Sequence, residues 1–290
     1  MDAGPAATAT GPDSLADLER RFGGLRRLYG DAGYGALRAL RVAVVGVGGV
    51  GSWAAEALAR CGVAELVLID LDHVAESNIN RQVHATQATL GQAKVQALRE
   101  RIQGIHPACR VHAVEAFVEP GNWPALLPVP VDVLIDACDQ SAAKLALAAW
   151  ALRERMPLVI AGAAGGKRMG HRVELADLAE TTHDPLLAAL RQRLRRDHGA
   201  PRQGAIGLRC VFSREPVSAP AAPEDACAPD GSLNCNGYGS TVTVTAAFGL
   251  AAAGEAIELA VARAACAPSA ARQAGGQAAT AHRTAPEAAA

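Results

Sequence analysis

The chain has 290 residues, half of them apolar and only 3% aromatic, with a formal net charge of −1. That supplies one large α/β domain or two modest ones, with a core packed from Val, Leu, Ile and Ala. The near-neutral balance excludes a globally cationic nucleic-acid binder, although Arg191, Arg193, Arg195, Arg196 and Arg202 concentrate positive charge in one short stretch.

Residues 1–14 are rich in Ala, Gly, Thr and Pro, and a disordered tail is expected over 1–19. A β-branched run over 41–45 predicts a strand. It enters Gly46-Val47-Gly48-Gly49-Val50-Gly51, and an alanine-rich helix is expected over 52–61. A second strand, 66–69, stops at Asp70, and a polar tract follows from Asp72 to Gln82. Helices over 92–105 and 141–155 alternate with strands over 110–114, 131–135 and 157–160. Such alternation implies a mainly parallel sheet with helices on both faces.

Beyond Gly162 the pattern changes to strands over 171–175 and 208–212, separated by an arginine-rich helix over 185–197. The Pro-, Ala- and acid-rich stretch 215–233 is expected to be a mobile loop, because it lacks the apolar surface to offset its ordering entropy. A turn over 236–240 then opens a last helix. Residues 241–254 are uncharged and largely apolar, but Glu255 and Glu258 interrupt them well short of the ~20 residues of a membrane span. A buried helix of small residues is therefore expected, in preference to membrane association through 241–262. A second tail is expected over 264–290. The architecture that results is α/β, a Rossmann-like, mainly parallel sheet extended by a C-terminal strand and helix portion, forming one domain over 20–263.

Seven cysteines, Cys61, Cys109, Cys138, Cys210, Cys227, Cys235 and Cys266, include no CxxC pair. The expectation is a reducing cytoplasm and no structural zinc of the four-cysteine type. No cationic start precedes an apolar run at the N-terminus, so no signal peptide is expected.

A strand, GxGxxG and a helix together aim backbone amides and a helix N-terminus at a phosphate. Gly46 permits the turn, Gly48 and Gly49 keep the loop open to the phosphate, and Gly51 allows close helix–strand packing. Asp70 stands where a carboxylate accepts hydrogen bonds from ribose hydroxyls. These features predict a bound nucleotide without separating ATP from NAD.

The tract Ser77-Asn78-Ile79-Asn80-Arg81-Gln82, together with Gly91-Gln92-Ala93-Lys94, Asp136-Ala137-Cys138-Asp139 and the N-terminal Arg20-Arg21-Phe22-Gly23-Gly24, resembles the ThiF/MoeB/HesA family of ubiquitin-activating-enzyme-like adenylating enzymes. The resemblance implies ATP and Mg²⁺ as cofactors. It places Asp70 on the ribose, Asn78, Arg81 and Lys94 on the phosphates, and Asp139 on the metal. Elementary chemistry agrees with those residue types. A carboxylate attacking an anionic phosphate chain needs neutralising cations and a neutral donor. Many members also carry an arginine that reaches the partner subunit's ATP; Gly24 falls at that position here, with Arg21 and Arg26 beside it.

The opening Arg21-Phe22-Gly23-Gly24-Leu25-Arg26-Arg27-Leu28-Tyr29-Gly30 and the later Ala163-Ala164-Gly165-Gly166 and Asp177-Leu178-Ala179-Glu180-Thr181-Thr182-His183-Asp184-Pro185-Leu186 narrow the resemblance. They are similar to the branch that dehydrates threonylcarbamoyladenosine beside the tRNA anticodon. That branch implies adenylation of the free carboxylate, ring closure with loss of AMP, and a homodimer. It also implies an association with a cysteine desulfurase and its sulfur acceptor, for which Cys235 is the candidate acceptor. The candidate tRNA contacts are Lys167, Arg168, Arg193, Arg195 and Arg196, with Arg191, Arg202, His171 and Arg172 around them. His183 is read as a turn residue and Cys138 as structural. The rival readings are adenylation of the C-terminus of a ubiquitin-like sulfur carrier, an NAD-dependent dehydrogenase, and a nucleotide-binding adaptor without turnover.

Overall fold

The computed structural model describes residues 15–218 and 238–266. Cys227, Cys235 and most of the expected 215–233 loop therefore lie outside the described residues. Two helices open the chain, α1 (Leu15–Phe22) and α2 (Gly24–Ala39), and α2 is kinked at Gly30. Seven strands follow: β1 (Arg41–Val45), β2 (Glu65–Ile69), β3 (Arg110–Val114), β4 (Val133–Asp136), β5 (Leu158–Ala161), β6 (Val173–Asp177) and β7 (Arg209–Ser213). The helices between and after them are α3 (Gly51–Arg60), α4 (Lys94–Ile105), α5 (Ser141–Glu154), α6 (Pro185–Asp197) and α7 (Val242–Cys266).

All seven strands share one sheet in the order β3-β2-β1-β4-β5-β7-β6. Every neighbouring pair is parallel except β6 and β7, which run antiparallel. The chain winds outward from β1 through β2 to β3, then returns to place β4 on the other side of β1. That reversal opens a crevice at the carboxyl ends of β1 and β4, the place where open parallel sheets bind ligands. Burial on both faces explains the unbroken apolar runs of the central strands. Val42, Val44, Leu66 and Leu68 pack in one core with α3, α4 and α7, while Ala43, Val45, Val67 and Ile69 pack in the other with α5 and α6.

Helix α7 reaches well beyond residue 254. Val244, Phe248, Ala252 and Ala256 recur four apart and are all buried in the core that contains α3. The two glutamates that interrupt the apolar run sit off this stripe. Glu255 accepts from Arg209 Nε at 2.5 Å, and Glu258 is exposed. By length and composition alone α7 is apolar enough to cross a membrane, but its apolar stripe is spent on the protein core. At its far end α7 passes residue 263, and α1 begins inside the stretch expected to be a tail.

The edge strand β3 is held to β2 by charge as well as by its ladder. Glu65 accepts from Arg110 at 2.9 Å and lies 2.7 Å from His112 Nε2. The Arg110 hydrogen bond, with that of His112 behind it, outweighs the cost of burial and holds the Glu65 carboxyl at about 2. A carboxyl depressed in the folded state contributes stability above its unfolded value, and that contribution is lost as pH falls toward the folded one. Acid titration of stability should therefore be steeper between about pH 4.5 and 2 in the wild type than in Glu65→Gln, measured by urea unfolding at each pH. Parallel curves would remove this pair from the account.

Candidate active site

The glycine loop folds as it does because of contacts at two of its glycines. Gly46 has φ +80°, and a Cβ there would stand 2.9 Å from the Ala137 carbonyl at the end of β4. A Cβ on Gly51 would run into the Gly46 carbonyl, so α3 can start against the loop only with glycine. The loop lines a cleft of about 730 Å³ at the carboxyl ends of β1, β2 and β4. Gly46, Gly48, Gly49, Asp70, Asn78, Arg81, Lys94 and Asp139 all line it; Gly51 does not, and instead begins the helix behind.

Asp70 closes β2 and is nearly buried. Its carboxylate accepts from Val47 N at 2.8 Å and from Asp72 N at 2.9 Å, so it orients the glycine loop and the following turn together. Burial raises its proton affinity, and the neighbouring Lys94 charge opposes that rise. Lys94 starts α4. Its buried ammonium donates to Asp72 Oδ2 at 2.6 Å, and its backbone N–H donates to the Asp72 carbonyl at 2.9 Å. Asp72 does more than order its own loop. Two residues beyond Asp70 it shares a side of the extended chain, and it holds the lysine in the cleft.

Asn78 ends a short 3₁₀ turn, Glu76–Asn78, and its Oδ1 accepts from Ala75 N at 3.1 Å. That bond fixes the amide so that its NH₂ is the end left for the cleft. Arg81 donates from Nη1 to the Ser77 carbonyl at 2.6 Å and to Asn80 Oδ1 at 2.9 Å. It has no carboxylate partner among the described residues, and burial lowers its proton affinity. An arginine stays charged through such a shift, so its charge is available to a ligand. Its carbonyl accepts from Trp53 Nε1 at 3.0 Å and Thr245 Oγ1 at 3.3 Å, which ties the polar tract to α3 and α7. Nothing in the sequence announced those two residues, because Thr245 is distant in the chain.

Asp139 lies just beyond β4 on the cleft wall, with no ion-pair partner among the described residues. Asp136, at the end of β4, is fully buried and differs sharply. Its Oδ1 accepts from Cys138 N at 3.1 Å and from the Cys138 thiol at 2.9 Å, and Lys144 of α5 stands 2.9 Å from Oδ2. Lys144 is itself fully buried and donates to the Ala161 carbonyl at 3.1 Å. Burial is the largest influence and works against its charge, but Asp136, together with the neighbouring Cys138 and Cys210, raises its proton affinity overall. One lysine thus joins the ends of β4 and β5 beneath the cleft. Burial also pushes the Cys138 thiol well above its ordinary range, with the Asp136 charge adding to the effect, which favours the neutral thiol over the nucleophilic thiolate.

The RNA candidates separate. Lys167 is buried and donates to the carbonyls of Ser213 and Glu215, each at 2.9 Å, and burial lowers its proton affinity. It cannot contact RNA. Its place in a glycine-flanked basic stretch suggested a surface residue, whereas the carbonyls around it make an internal brace. Arg191 donates to the carbonyls of Leu178 and Thr181 at 2.9 Å, so it secures the turn before α6. His183 sits in that turn at φ 58°. Arg168, Arg172, His171, Arg196 and Arg202 are exposed, and Arg193 and Arg195 are partly so. Arg195 donates to the Pro201 carbonyl at 2.9 Å, and Arg196 pairs with Asp197 at 2.7 Å. The start of the expected mobile loop is fixed: the Glu215 carboxylate accepts from Arg168 N at 3.0 Å and Met169 N at 2.8 Å.

Comparison with known proteins fits this geometry. The ThiF family pattern matches residues 22–285. The chain is 42% identical over 255 residues to the tRNA threonylcarbamoyladenosine dehydratase of Escherichia coli strain K12, an overlap of 85% of this chain and 95% of that protein. The crystal structure of the E. coli enzyme, TcdA, in complex with ATP superposes with a TM-score of 0.79 at 41% identity, covering 88% of this chain and 98% of that one. Its complex with AMP gives a TM-score of 0.78 at 41% identity, over 89% and 100% of the two chains.

Proposed function

The chain belongs to the ThiF family, and from that premise we propose that it is the ATP-dependent enzyme that dehydrates threonylcarbamoyladenosine in tRNA to its cyclic form. The free carboxylate of the modified adenosine is adenylated with release of diphosphate. Internal attack by the carbamoyl group then closes the ring and expels AMP. Tethering of nucleophile and electrophile supplies most of what the second step needs. The observation that carries this reading is the convergence of the glycine loop, Asp70, Asn78, Arg81, Lys94 and Asp139 on one cleft. The ATP and AMP complexes of the E. coli relative support it.

In this reading the N–H groups of the glycine loop and the start of α3 face the phosphates. Asp70 accepts from the ribose hydroxyls. Asn78 donates to the phosphate chain without adding charge, and Arg81 and Lys94 neutralise the charge that develops as the carboxylate attacks. Asp139 would hold Mg²⁺. Among the described residues no three His, Cys, Asp or Glu side chains gather around a metal position. A single unpaired carboxylate beside a phosphate site fits this ion, which takes few protein ligands and completes its shell with phosphate and water. Bound there, the ion would withdraw charge from the phosphates.

The same reading places the enzyme in the cytoplasm with its tRNA, as a homodimer for which exposed Leu28 and Leu250 offer apolar surface. It retains the association with a cysteine desulfurase and sulfur acceptor, which ring closure does not itself require. Nucleoside mass spectrometry tests the function. Substrate tRNA incubated with the protein, ATP and Mg²⁺ should lose the mass of one water at the modified adenosine, with AMP formed in equal amount. AMP release driven by a diglycine-ended carrier protein, with the linear nucleoside left intact, would instead establish carrier adenylation.

A further inference from the structure

A second cavity, of about 580 Å³, has no part in the nucleotide chemistry; it is walled by Pro120, Trp123, Ala149, Trp150, Arg153 and His198. The chain has three tryptophans, and two of them meet here edge to face, with ring centroids 5.4 Å apart and planes at 86°. Ala146 and Ala149 lie one helical turn before Trp150 and Arg153 on α5, and their small side chains leave the space beside the indoles. Trp123 is 9% exposed, and its indole N–H is buried with no acceptor among the described residues. Arg153 has a side chain 67% exposed and, among the described residues, pairs only with the exposed Glu154, a surface ion pair that a phosphate can replace at little cost.

Its position relates this cavity to the cleft in two ways. Ala142 of α5 lines the cleft and Trp150 lines the cavity. At 1.5 Å of rise per residue they are separated by about 12 Å along one rigid helix. Phe117 and Val118 line the cleft, and Pro120 and Trp123, a few residues on, line the cavity. His198 brings in the end of α6, the helix that carries Arg193, Arg195 and Arg196.

We propose that this cavity takes an unstacked base of the RNA, from a nucleotide close to the modified adenosine on the same strand. The inference rests on the tRNA reading above and adds to it a second anchoring point. Aromatic walls stack any base, and an arginine at the rim meets the adjoining phosphate. Arg153 at the rim, with Arg193 and Arg195 of α6, which have no carboxylate partner among the described residues, offers a polyanion contacts that an apolar protein segment would not use.

The test uses the full chain and tRNA bearing threonylcarbamoyladenosine. Trp150→Ala removes the platform, Ala146→Phe fills the cavity while leaving both indoles in place, and Trp150→Phe keeps an aromatic face. The Kd for tRNA should rise roughly 5- to 150-fold in the first two variants and stay within about twofold in the third. The Kd for ATP and the thermal unfolding midpoint of Ala146→Phe should not move. Unchanged tRNA affinity in Ala146→Phe, with the wild type active, overturns this inference and leaves the tRNA reading standing. A wild type that neither binds nor cyclises the tRNA overturns both. Loss of binding to the desulfurase pair with tRNA affinity intact assigns the cavity to a protein and also overturns the proposal.

Discussion

Lys94→Ala is expected to lower the rate of AMP formation by about 10²–10³-fold at saturating ATP, and Arg81→Ala by a similar factor. Both cations line the same cleft as the glycine loop. Each would act on charge that grows in the transition state, so their loss falls on kcat more than on binding. Folding should largely survive. The carboxylate that Lys94 releases, Asp72, has a side chain 53% exposed and returns to water. Asp70 provides a second readout: with the Lys94 charge gone, the force opposing its burial weakens and its proton affinity climbs further. The acid limb of any activity that needs Asp70 ionised should then move to higher pH. Single-turnover AMP release measured across pH checks both effects, and a Lys94→Ala rate within a few-fold of wild type would remove Lys94 from the chemistry.

The second large effect concerns stability. Asp136→Ala strands the Lys144 ammonium, both partners being fully buried at 2.9 Å. Breaking a buried pair from one side costs about 3–5 kcal/mol, because the surviving charge has neither water nor a counter-ion. Cys138 N loses its acceptor as well, so the turn that carries Asp139 loosens. Replacing both members by apolar residues of similar size, Asp136→Leu with Lys144→Met, should recover much of the loss. Asp139→Ala is the contrasting variant, expected to impair turnover while leaving the unfolding midpoint in urea where it was. Equal midpoints for Asp136→Ala and wild type would show that the pair stabilises nothing.

The elements of the α/β core were legible because each carries its own periodicity. The β-branched runs of β1 and β2, the glycines between them and the apolar spacing of α4 and α6 are local signals. Helix α7 shows what a local signal leaves out. Glu255 and Glu258 look like the end of an apolar run when read along the chain. On the helix surface they fall off the buried stripe, and Arg209 neutralises one of them. Lys167 shows the converse. A lysine in a basic, glycine-flanked stretch reads as solvated, yet two backbone carbonyls from the end of β7 enclose it.

What the sequence determined by itself was the nucleotide-binding frame and the set of charged groups on it: Gly46 to Gly51, Asp70, Asn78, Arg81, Lys94 and Asp139 all lie within or beside short motifs whose spacing is imposed by a strand, a turn and a helix. What only the tertiary structure decided was the company those groups keep. The hold of Trp53 and Thr245 on Arg81, the Asp136–Lys144 pair beneath the cleft and the two-tryptophan cavity beside it each join residues from separate elements. Periodicity reports which side of an element is buried. The order in which strands assemble into the sheet decides what that side meets, and that order is a property of the whole chain's packing.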